Sequence, residues 1–66
     1  MEPSEAQFLI INALESLELL NWRLYDEEKG FWYIRTPSRV LPVAVILHNG
    51  DVVPLQFVQQ DNETDE

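Results

Sequence analysis

Asn49-Gly50 constrains this chain more than any other pair of residues. It interrupts an otherwise apolar stretch that runs from Val43 to Phe57: Val-Ala-Val-Ile-Leu-His-Asn-Gly-Asp-Val-Val-Pro-Leu-Gln-Phe. Asn-Gly between β-forming runs is the strongest short-range hairpin signal, because a type I′ turn needs positive φ at both central residues. A two-residue turn pairs His48 with Asp51, Leu47 with Val52, Ile46 with Val53 and Val45 with Pro54. The 48/51 and 46/53 pairs are then hydrogen-bonded, and the 47/52 and 45/54 pairs are not. Pro54 has no N–H to donate. Its position suits a strand with one open side, so the last strand is expected at a sheet edge.

That register puts Ala44, Ile46, His48, Asp51, Val53, Leu55 and Phe57 on one face. Val43, Val45, Leu47, Val52, Pro54, Gln56 and Val58 take the other. Both faces are largely apolar, whereas an antiparallel sheet normally keeps one face polar. Leaving several hundred Å² of apolar surface wet forgoes roughly 10 kcal/mol of burial, comparable to the whole stability of a small domain. A second chain, or curling of the sheet into a small barrel, would provide the missing cover.

Upstream, Ser4 and Gln7 have the spacing of a capping box, Glu5 suits the positive end of a helix dipole, and Pro3 and Phe8 occupy staple positions. A helix is expected from there to about Leu20. Its apolar stripe is Ala6, Leu9, Ile10, Ala13, Leu14, Leu17 and Leu20. Gln7, Asn12, Glu15, Ser16 and Glu18 fall elsewhere. Ile11 and Leu19 are apolar but off the stripe, which marks them as candidates for cover by a second surface.

Trp22-Arg23-Leu24-Tyr25-Asp26 and Phe31-Trp32-Tyr33-Ile34-Arg35-Thr36 read as strands, with Gly30 ending a polar turn between them. Phe31, Tyr33 and Arg35 share one face of the second strand; Trp32, Ile34 and Thr36 share the other. A loop bounded by Pro37 and Pro42 leads into the Asn-Gly hairpin. The expected fold class is therefore α+β: one N-terminal helix packed on a small antiparallel sheet of about four strands, formed by two successive hairpins and able to curl strongly. Residues 1–58 form a single α+β domain, and residues 59–66 an acidic, disordered C-terminal tail.

The chain has 66 residues and no cysteine, so no disulfide or thiolate–metal staple supports its small core. It carries 12 acidic and 4 basic residues, a net charge of −8. Asp61, Glu63, Asp65 and Glu66 lie in the tail, and the remaining eight acidic residues against four basic ones leave −4. This balance disfavours direct nucleic-acid binding, which needs a basic footprint. No apolar stretch is long enough for a membrane span and no basic leader is present, so a cytoplasmic protein is expected.

Chemistry-bearing constellations are sparse. His48 beside Asp51 has the ingredients of an oriented base, but no activated nucleophile accompanies it, and a polar pair flanking an exposed turn explains it more simply. Asp26-Glu27-Glu28 is the one acidic cluster outside the tail, and a solvated turn accounts for it. No Gly-rich phosphate loop exists, with only Gly30 and Gly50 available. No enzymatic activity, cofactor or metal is expected. Trp22, Tyr25, Phe31, Trp32 and Tyr33 are concentrated on one hairpin, where aromatics serve as core filling or as interface anchors.

These features favour a small acidic protein-interaction module with a protein partner. It self-associates, as a homodimer, or docks as an accessory chain on a larger complex through an apolar sheet face. Ile11, Leu19, Trp32, Tyr33, Val43, Val45, Leu47 and Val52 are the partner-binding candidates. The alternative is an acidic inhibitor of a nucleic-acid-binding protein, a nucleic-acid mimic of the kind mobile elements encode.

Overall fold

The computed structural model describes residues 1–63, with side chains described through residue 59. The elements run α1 (Glu5–Ser16), β1 (Trp22–Asp26), β2 (Phe31–Arg35), β3 (Val43–Ile46), β4 (Val52–Pro54) and α2 (Leu55–Glu63). The strands form an antiparallel meander in the order β1-β2-β3-β4. The fold is α+β, as expected: an N-terminal helix packed on two successive hairpins. The sheet is open, with β1 and β4 as its edges, and does not curl into a barrel.

The start of α1 follows from its capping box. Ser4 Oγ accepts from the Gln7 N–H at 3.1 Å, and Gln7 Oε1 accepts from the Ser4 N–H at 2.9 Å. Each bond satisfies a donor the helix cannot pair internally. The same Gln7 amide donates through Nε2 to the carbonyls of Gly30 (2.9 Å) and Ile46 (3.0 Å) and is completely buried. One side chain thus ties the helix start to the end of the first turn and to β3.

That tether corrects the expected helix stripe. Gln7 and Ile11 are the buried residues of α1, and Leu9 is 70% exposed. Leu17, also expected inside, is exposed as well. A pattern scored by hydrophobicity places Gln7 outside, but three hydrogen bonds satisfy its amide and make its burial favourable. With Gln7 inward, Ile11 one turn later follows it, and α1 rotates accordingly. Ile11 joins Ile34, Ala44 and Ile46 in the core, with Ile10, Leu14, Leu20, Trp32 and Leu41 packed around them.

α1 also stops at Ser16, short of Leu20. Its end is a Schellman motif: Leu19 N–H donates to Leu14 O at 2.8 Å and Glu18 N–H to Glu15 O at 3.0 Å, with Glu18 at φ +60°. Glycine is the usual residue at such a position, so sequence inspection finds no stop signal there.

The Asn-Gly hairpin differs from expectation by one residue. The observed pairs are Ile46↔Val52, Val45↔Val53 and Ala44↔Pro54. The loop has three residues, His48, Asn49 and Gly50. Gly50 N–H donates to Leu47 O and Leu47 N–H donates to Asp51 O, both at 2.8 Å. Gly50 has φ +96°, while Asn49 is not among the positive-φ residues. This is a type I turn closed by a left-handed glycine in a G1 bulge, the standard three-residue alternative to type I′. A one-residue slip exchanges the faces of β4 relative to β3. Val52 and Pro54 move to the side of Ala44 and Ile46, and Val53 joins Val45. Alternation from the Leu47–Asp51 bond leaves Ala44↔Pro54 a non-hydrogen-bonded pair. The proline nitrogen therefore still faces the open edge.

The chain beyond Pro54 also departs from expectation. Residues 55–58 do not continue the strand, and residues 59–63 are not an irregular tail: Leu55–Glu63 is helical. Residues 64–66 of the expected tail lie outside the described residues. Pro54 ends the ladder, and Leu55 and Val58, spaced for one face of a helix, are half-buried while Gln56, Phe57 and Gln59 are exposed.

Candidate functional site: the sheet face away from α1

Directly paired residues point to the same side of a sheet. The registers therefore put Arg23, Tyr25, Trp32, Ile34, Ala44, Ile46, Val52 and Pro54 toward α1. Trp22, Leu24, Asp26, Phe31, Tyr33, Arg35, Val43, Val45 and Val53 face the other way. Among these nine, only Asp26 and Arg35 are charged.

This second face is unevenly covered. Val45 is fully buried although it belongs to no part of the α1-side cluster. α2 reaches both β3 and β4, and none of its described side chains joins that cluster, so it is the element available to cover Val45. Among the described residues the β1–β2 end has no such cover. Trp22 is 47% exposed and Leu24 53%. Phe31 and Tyr33 are half-buried and meet edge to face at 5.3 Å. An open groove of about 720 Å³ is lined by Asn21, Trp22, Tyr33, Arg35 and Val43.

The two charges cap the ends of this face. Asp26 Oδ1 accepts the Glu28 and Lys29 N–H groups at 3.0 and 3.1 Å, and Tyr33 Oη approaches Oδ2 at 3.5 Å. The carboxylate is thus held at the turn end of the hairpin. Arg35, paired with Trp22 at the opposite end, is exposed and forms no ion pair among the described residues.

The eight sequence-derived candidates do not share one environment. Tyr33 and Val43 line the groove, and Val45 lies beside them under cover. Leu19 and Val52 line a smaller apolar pocket of about 200 Å³ with Leu14, Ile34 and Leu41, on the α1 side. Ile11 is a core residue and Leu47 is half-buried near the turn. Trp32 also faces α1, between Phe8 (6.3 Å), Tyr25 (5.0 Å) and the Arg23 guanidinium (5.6 Å), and its buried Nε1 has no hydrogen-bond partner among the described residues. Val43, Val45, Leu47 and Val52 do not form one surface, because the register slip carries Val52 to the opposite side. Sequence reading missed Trp22 and Leu24. The signal was available: carrying the two-residue alternation across the first hairpin places both with Tyr33.

The described residues bring no nucleophile and base together beside this face. His48 is not oriented by Asp51: it sits in the turn, its carbonyl accepts from Ser4 Oγ at 2.6 Å, and Asp51 bonds Asn49 instead. Among the described residues no group of His, Cys, Asp or Glu is arranged to hold a metal ion, and no helix is long and apolar enough to cross a membrane. Neither a family model, nor a curated protein, nor a solved structure matches the chain.

Proposed function

We propose that this chain is a small non-enzymatic docking module that binds a protein partner through the second face of its sheet. The observation that carries the reading is the exposure of Trp22 and Leu24 beside Tyr33 and Val43 on a face with no charge between its ends. Trp and Tyr are the residues most enriched at interface hot spots, since they combine a large apolar area with few rotatable bonds. A strand face needs no rearrangement to receive a partner, so docking there costs little ordering entropy. The test compares binding of an apolar fluorescent dye by the native chain and by Leu24→Asp. Leu24 is half-exposed on an edge strand, so the charge is tolerated by the fold and far-ultraviolet circular dichroism stays unchanged. Dye binding falls sharply. Equal dye binding by the two proteins would rule this face out.

A further inference from the structure

We propose that the occupant of this face is a second copy of the chain, stacked sheet to sheet about a two-fold axis with the β1–β2 hairpins antiparallel; this rests on the docking reading above. A two-fold interface requires a self-complementary patch, and the β1–β2 ladder has that symmetry. Its central pair is Leu24↔Tyr33. Asp26 closes one end, and Arg35, opposite Trp22, closes the other. The ends are four residues apart, about 13 Å at strand rise. Turning a second hairpin end for end sets each Asp26 over the partner copy's Arg35 end and stacks the central apolar pairs on each other. Stacking the hairpins in parallel sets like charges over like and is disfavoured. Charge therefore selects one of the two possible orientations.

The net charge of −8 does not oppose this pairing at the contact, because Asp26 and Arg35 cancel on the face itself. More distant charges are damped over a Debye length of about 8 Å at physiological salt. The open part of the face is about two strands wide, roughly 10 Å by 15 Å from strand spacing and rise. A patch of this size falls well short of the roughly 800 Å² per partner of a standard interface. The dimer is accordingly weak and reversible.

Sedimentation equilibrium of the full chain, from low micromolar to sub-millimolar concentration, is the test. We expect a monomer–dimer equilibrium that Leu24→Asp and Arg35→Glu each weaken by about tenfold or more. An equimolar mixture of Arg35→Glu and Asp26→Lys restores association, because both contacts of the mixed dimer then pair opposite charges. If Asp26→Lys loses its fold with the turn cap, Asp26→Asn retains an acceptor for the turn and still weakens the dimer. A dimer indifferent to Leu24→Asp would overturn the pairing on this face, whereas dye binding indifferent to Leu24→Asp would overturn the docking reading. One sensitive to Leu24→Asp but not to Arg35→Glu would overturn the antiparallel two-fold arrangement. A native chain that stays monomeric while binding apolar dye in a Leu24-dependent way would overturn self-pairing and leave the docking face to a different protein.

Discussion

Gly50 and Glu18 occupy comparable backbone conformations, and only one of them is the residue that conformation favours. Gly50 has φ +96°, and a Cβ placed there would lie 3.1 Å from the Ala6 Cβ in the first turn of α1. Gly50→Ala meets both the left-handed steric penalty and a crowded neighbour, and is expected to cost about 2 kcal/mol. Glu18 holds φ +60° to close the helix end, without the freedom glycine would bring. Glu18→Gly relieves that strain and should stabilise the fold by roughly 0.5–1 kcal/mol, after allowance for the greater chain entropy of glycine. Urea denaturation of both variants checks the pair: the two midpoints should move in opposite directions from the native one. A Glu18→Gly protein less stable than native would mean that the carboxylate makes a compensating contact.

At the scale of elements, the junction between α1 and the sheet depends on Gln7. Its amide satisfies the Ser4 N–H and the carbonyls of Gly30 and Ile46, all at one end of the sheet. Gln7→Leu keeps most of the volume but removes every partner at once. At about 1–3 kcal/mol for each buried polar group left unpaired, the loss is expected to reach roughly 3–5 kcal/mol, a large share of a small domain's stability. Thermal unfolding measures it directly, and Ile10→Val, a modest apolar trimming one turn further along α1, provides the scale at about 1 kcal/mol. A Gln7→Leu protein no less stable than Ile10→Val would show that these carbonyls find other donors.

For the whole molecule, the N-terminal segment fastens the two turns at one end of the sheet. The Met1 amino group donates to Glu27 O at 3.0 Å, Tyr25 Oη donates to Met1 O at 2.6 Å, and Ser4 Oγ reaches His48 O. The Tyr25 hydroxyl must stay protonated to make its bond. Its pKa is raised above the ordinary 10.0, by desolvation first and then by the charges of Glu27, Glu2 and Asp26. The folded chain therefore holds this proton more tightly than the unfolded chain. The stabilisation is complete below pH 10 and is lost as pH rises through the elevated folded-state value. Melting temperatures of the native chain and Tyr25→Phe should differ at neutral pH and converge in strong alkali, while the other titrating groups affect both proteins alike. A difference that is constant with pH would place the contribution of Tyr25 in its ring packing against Trp32 rather than in its hydroxyl.

What the sequence determined by itself is whatever depends on neighbours in the chain. The capping box of Ser4 and Gln7, the two hairpins, the glycine-closed turns, the edge position of Pro54 and the α+β class all follow from interactions spanning a few residues. Tertiary structure decided the rest. Whether Asn49-Gly50 closes a two- or three-residue loop is a small local difference, and the choice made places Val52 toward α1 and Val53 away from it. Gln7 is inside because carbonyls from Gly30 and Ile46 meet it there, and those residues are 23 and 39 positions away in the chain. The same holds for the candidate site. Tyr33 and Val43 read as interface candidates and Trp22 as a strand residue; only cross-strand pairing sets the three on one face, and only the folded chain, with α2 beside β3 and β4, leaves Val45 buried and Leu24 open.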